Sequence, residues 1–94
     1  MATLSDLHYR FPPAVAYRLN RCLFALKSDG AFRARYVADP AGAMGELGLS
    51  EDEQAALLGW DRDRLLGRGA HAYLVFMADL RLRMERGEAV FEYF

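Results

Sequence analysis

Few side chains in this 94-residue chain have types and spacings suited to chemistry, and most are accounted for by folding. His8 and His71 lie far apart, and neither belongs to a His-x-x-x-His or Glu-x-x-His pattern that would set two metal ligands on one helix face. Cys22 and Ser50 are nucleophiles by type, but Cys22 falls on an apolar helical stripe and Ser50 opens a helix as its cap. Ser28 falls where a helix stops. The run Glu51-Asp52-Glu53 is what the macrodipole favours in a first helical turn, and Asp61-Arg62-Asp63-Arg64 compensates its own charge on a solvated face. The glycines follow no strand in a phosphate-cradling pattern. A single cysteine excludes an intrachain disulfide, and no Cys/His cluster offers the four ligands of a structural zinc. The expectation is a domain with no self-sufficient catalytic or metal site and no cofactor of its own. Two features are left over. His71 and Tyr73 open a helix directly after Gly67 and Gly69, and a tail at 88–94, carrying Phe91, Tyr93 and Phe94, follows the helix-stopping Gly87. Such a tail either folds onto its own core or marks a contact with another protein.

The elements that must position these residues are helical. Phe11-Pro12-Pro13 ends an aperiodic start, and Pro13 is suited to a first helical position. From there to Lys27 the apolar residues Val15, Leu19, Cys22, Leu23 and Leu26 recur at helical spacing, until Ser28-Asp29-Gly30 stops the run. A second helix is expected over 31–38 with Phe32 and Tyr36 on one face, and a third over 40–47 with Asp39 as cap, Pro40 at its first position and Gly48 behind it. Ser50 and Glu53 form a capping box for a fourth that runs to Leu58 and stops at Gly59. A short turn of helix over 60–66 ends at Gly67 and Gly69, and a long helix over 70–86 is apolar nearly all round in its first half. Such a helix is central, or faces its own core and another protein at once. No period-two alternation is present. The expected fold is all-α, a compact orthogonal bundle of five to six short helices, in one domain over 1–94.

Twelve basic against thirteen acidic residues leave no positive field for nucleic acid or anionic lipid. Lys27 is the only lysine, and arginine is the cation favoured where planar guanidinium groups meet carboxylates at interfaces. No apolar run approaches membrane-spanning length, and the start of the chain lacks the basic-then-apolar order of a secretory signal, so a cytoplasmic location is expected.

Several ordered pieces carry a further message: Leu19-Asn20-Arg21 with Leu26, Phe32-Arg33-Ala34-Arg35-Tyr36 followed by Asp39-Pro40, the stretch from Gly48 to Glu53, Trp60-Asp61, and Gly69-Ala70-His71-Ala72-Tyr73-Leu74. In this order the chain resembles the small, alpha-subunit family of protocatechuate 4,5-dioxygenase and related two-subunit type II extradiol ring-cleavage dioxygenases. The resemblance implies an all-helical, non-catalytic subunit. It would cap the active site of a larger catalytic subunit that holds non-haem Fe(II) through two histidines and a carboxylate. It would also wall the pocket against water and shape access for a catecholic ring. By the same resemblance Gly69, His71, Tyr73, Phe91, Tyr93 and Phe94 are the candidates for an active-site wall or partner-facing surface. The chain is also similar to leader-like docking domains of enzyme-modified peptides, in which 88–94 would be the modified segment. A stand-alone interaction module is the third reading.

Overall fold

The structure, a computed structural model, describes residues 16–87. Six helices account for most of them: α1 (Tyr17–Ser28), α2 (Gly30–Ala38), α3 (Pro40–Glu46), α4 (Glu51–Leu58), α5 (Arg62–Gly67) and α6 (Ala72–Glu85). No strand occurs among the described residues, so the expected all-α bundle is what forms. Val15, His8 and the tail at 88–94 lie outside the described residues.

The apolar stripe of α1 is buried as its spacing requires: Leu19, Cys22, Leu23 and Leu26 are all fully covered. The described helix begins at Tyr17, with Ala16 at φ −93°, ψ 0° as an N-cap that supplies no side-chain bond; the start expected at Pro13 lies outside the described residues. Single aspartates join the first three helices. Asp29 ends α1 and caps α2 by accepting from the Phe32 amide at 3.1 Å. Asp39 ends α2 and caps α3 through the Gly42 amide at 3.1 Å. A Cβ at Gly42 would run into that same Asp39 carboxylate. Arg33 secures the α1–α2 corner, with Nη1 donating to the Leu26 and Lys27 carbonyls at 2.9 and 3.2 Å and Nε to Glu85 of α6 at 3.4 Å. Phe32 and Tyr36 turn inward from α2, ring centroids 6.5 Å apart.

Three helices end in the same hydrogen-bonded way. After α3, Leu49 N–H donates to Met44 and Gly48 N–H to Gly45, with Gly48 at φ +74°. After α5, Ala70 N–H donates to Leu65 and Gly69 N–H to Leu66, with Gly69 at φ +96°. Both are Schellman motifs with a left-handed glycine. After α4 the same pair of bonds forms from Asp61 to Ala56 and from Trp60 to Leu57, but the left-handed residue is Trp60 (φ +46°), not a glycine. Gly59, expected to stop α4, sits one position early at φ −78°. Holding Trp60 in that region costs about 1–2 kcal/mol, offset by packing its ring against the core. The turn also displaces the start of α5 to Arg62, with Asp61 as its N-cap, in place of the expected start at Trp60. Gly67 proves to be the last residue of α5, so Gly69 alone ends it.

The capping box at α4 is complete. Ser50 Oγ accepts from the Glu53 amide at 3.2 Å, and Glu53 Oε1 accepts from the Ser50 amide at 2.9 Å, with Glu53 buried. Ser50→Ala is expected to lower stability by about 1 kcal/mol, seen as an earlier urea midpoint with an unchanged slope.

The core runs through all six helices. α6 contributes Val75, Ala78 and Leu82 to it while leaving Tyr73, Phe76 and Met84 half-exposed. Its other buried apolar side chain, Leu80, stands apart from the core cluster. Successive residues turn by about 100° along a helix, so Tyr73, Phe76, Leu80 and Met84 form a row on the side of α6 away from Val75, Ala78 and Leu82. The apolar run in the first half of this helix thus divides into an inward and an outward face.

Candidate functional site

Of the six candidate residues, the structure places Gly69, His71 and Tyr73 together at the α5–α6 turn; Phe91, Tyr93 and Phe94 lie outside the described residues. Gly69 takes the left-handed position that turns the chain from α5 toward α6. His71 is the N-cap of α6, its Nδ1 accepting from the Tyr73 amide at 3.2 Å. A ring nitrogen that accepts is unprotonated, so the imidazole proton is assigned to Nε2 and the exposed edge is a hydrogen-bond donor.

The residue that fixes this turn is Asn20 on α1. Its Oδ1 accepts from the His71 amide at 2.8 Å, and its Nδ2 donates to the Gly69 carbonyl at 3.0 Å and to the Ala16 carbonyl at 3.1 Å. The amide orientation is forced, since one side faces an N–H and the other two carbonyls. Asn20 thereby ties the α5–α6 turn to the start of α1 across some fifty residues of chain. Sequence reasoning met it only as part of a family pattern. Its signal was a polar residue flanking the Leu19–Leu23 stripe, a position that spacing alone assigns to solvent.

Beside the turn lies an exposed aromatic surface. Tyr73 from α6 and Phe24 from α1 are each more than half exposed, and Lys27 Nζ stands over both rings, 5.8 Å and 5.3 Å from their centroids. Tyr17, two turns before Phe24 on the same helix, is also exposed. Both rings are thus held to the one lysine by cation–π attraction. Two aromatic faces, an ammonium and an imidazole N–H are chemically suited to an apolar surface carrying acceptors. The described α6 ends at Glu85, so its length of about 21 Å separates His71 from the point where the tail leaves.

The other chemical candidates have structural occupations. Cys22 is fully buried and free. Burial, with the Glu53 carboxylate adding to it, pushes its thiol from 9.0 up to about 12. Burial likewise pushes Tyr36 up to about 12, with Cys22 adding and Arg86 opposing. Each holds its proton more tightly folded than unfolded, so their contribution to stability is intact below about pH 9 and is lost as pH rises toward 12. Thermal melts between pH 8 and 11 are expected to show falling stability, with a shallower slope in Cys22→Ala. Asp52 lies in the first turn of α4 as expected, whereas the 61–64 run does not simply compensate itself. Asp61 caps α5 through the Arg64 amide, and Asp52 pairs with Arg68 at 3.0 Å and Arg64 at 4.0 Å, because α4 and α5 pack side by side. Among the described residues no three His, Cys, Asp or Glu side chains group as a metal site. No helix among them is long and apolar enough to cross a membrane.

No curated protein and no solved structure matches the chain. A family model does, over residues 19–91, from the stripe of α1 through Asn20, the Gly69–Tyr73 turn and α6. The chain belongs to the family of the LigA subunit of the aromatic-ring-opening dioxygenase LigAB.

Proposed function

We propose that this chain is the non-catalytic small subunit of a two-subunit extradiol dioxygenase, and that it caps the active site of a larger, Fe(II)-binding subunit acting on a catecholic ring. The reading rests on family membership across three quarters of the sequence. It is supported by the surface that the same stretch builds, in which Phe24, Lys27 and Tyr73 stand exposed beside His71. A rigidly held turn next to exposed aromatic rings is the composition of an interface centre, where aromatic anchors carry most of the binding energy. In this role Gly69 and Asn20 shape the turn, His71 presents its Nε2–H to an acceptor on the partner or substrate, and Tyr73 packs on the larger chain. Burying that surface keeps bulk water from the ring-cleavage pocket.

The test is reconstitution. This chain is expected to co-purify with a larger non-haem iron protein, and catechol ring cleavage by that protein should fall when the chain is withheld. Undiminished cleavage by the larger protein alone would overturn the reading.

A further inference from the structure

We propose that the groove between α2, α4 and the end of α6 is a binding site for a small planar monocarboxylate, a flat apolar body carrying one anionic group. The groove has a volume of about 350 Å³, within the range of about 300–1,000 Å³ found for small-molecule sites. Val37, Leu58 and Trp60 give it apolar walls, with Val37 and Leu58 exposed there. Tyr36 and Arg86 line it as well.

Tyr36 is the observation that points to a ligand. Only 2% of the residue is exposed, yet its hydroxyl has no hydrogen-bond partner in the protein. A phenol set this deeply ordinarily finds one. Among the described residues no fully enclosed side-chain oxygen lacks a partner, so the Tyr36 hydroxyl is not sealed in and opens onto the groove that the residue lines. Arg86 is the second observation. Its charge acts on the Tyr36 hydroxyl against the effect of burial, which sets the two groups near each other. No carboxylate among the described residues pairs with Arg86. A guanidinium without a partner, beside a phenol O–H free to donate, is suited to a carboxylate: both groups present donors to its two oxygens. Arg83 and Asp79, on the same lining, are paired with each other at 3.3 Å, which leaves Arg86 as a single charge that a monoanion matches.

The groove side of α6, at Asp79, Leu82, Arg83 and Arg86, is turned by about a third of a revolution from the row that carries Tyr73, Phe76 and Met84. A ligand there leaves the Phe24–Lys27–Tyr73 surface open, so the inference goes beyond the proposed function and is tested without a partner.

The test uses the isolated full chain with benzoate as the probe. Trp60 lines the groove and is the only tryptophan, so its emission reports occupancy. Benzoate is expected to change that emission saturably, at an ionic strength held constant with chloride. Benzamide lacks the charge and acetate lacks the flat body, and each should bind at least about tenfold more weakly. Arg86→Gln, at an exposed position, should weaken benzoate binding about tenfold and leave benzamide unchanged. Tyr36→Phe keeps the buried ring and should weaken benzoate about threefold. In NMR spectra, the shifts that benzoate causes should fall on the methyl groups of Val37 and Leu58 and the indole of Trp60. Equal binding of benzoate and benzamide, an emission change that never saturates, undiminished binding by Arg86→Gln, or shifts centred on Phe24 and Tyr73 would each overturn the proposal.

Discussion

Asn20→Ala is expected to destabilise the folded chain by about 2–3 kcal/mol, equivalent to roughly 10–20 °C in melting temperature for a domain of this size. One side chain satisfies three backbone groups, the His71 amide and the Gly69 and Ala16 carbonyls. The Ala16 carbonyl belongs to the N-cap residue of α1, a position whose carbonyl ordinarily also accepts the first intrahelical bond, so the loss falls mainly on the other two. These belong to a turn that has just left a left-handed glycine and is about to start α6; the Gly69 carbonyl is part-buried and the His71 amide exposed, so the carbonyl carries most of the cost of about 1–3 kcal/mol for a group left unpaired away from water. Asn20→Asp separates shape from chemistry. It keeps an acceptor for the His71 amide but places a carboxylate oxygen against two carbonyls, so it should not rescue the alanine variant. His71→Ala removes only the Nδ1 cap and should cost about 1 kcal/mol. A loss below about 0.5 kcal/mol for Asn20→Ala, within the range of ordinary surface substitutions, would mean that water replaces the bracket.

Much of this fold was legible because local rules and tertiary packing agree. The stripe of α1, the aspartate cap at 39, the capping box at Ser50 and the stop at Gly48 each state a local preference that burial then uses. The misreadings fall where packing outweighs local preference. Gly59 looks like the end of α4, but the ring of Trp60 gains enough against the core to take the left-handed position itself, and this moves the start of α5. The candidate site was half legible. Gly69, His71 and Tyr73 announce themselves as a glycine turn followed by a helix start. Asn20, Phe24 and Lys27 do not, because what matters about them is a relation between α1 and α6 that no spacing within one helix encodes.

The largest effect on assembly is expected from the aromatic surface. If the larger subunit packs on Phe24, Lys27 and Tyr73, then Phe24→Ala combined with Tyr73→Ala should weaken the complex by about 3–4 kcal/mol, a few-hundredfold in Kd. Both side chains are more than half exposed in the isolated chain, so its melting temperature should barely move, which separates lost binding from lost folding. Lys27 adds a test of chemistry. Its ammonium is held over both rings, so Lys27→Met keeps an apolar stem on the surface while removing the charge, and Lys27→Glu reverses it. An interface that presents a carboxylate to this position should tolerate methionine far better than glutamate, and the gap between the two should shrink as salt is raised. Because Lys27 is the only lysine, amine acylation followed by mass spectrometry reads the same surface in the unmodified protein. The larger subunit should protect Lys27 from acylation, with the Asn20→Ala variant giving weaker protection because its His71 turn is no longer fixed. Full labelling of Lys27 in an intact complex would place the interface elsewhere on the molecule.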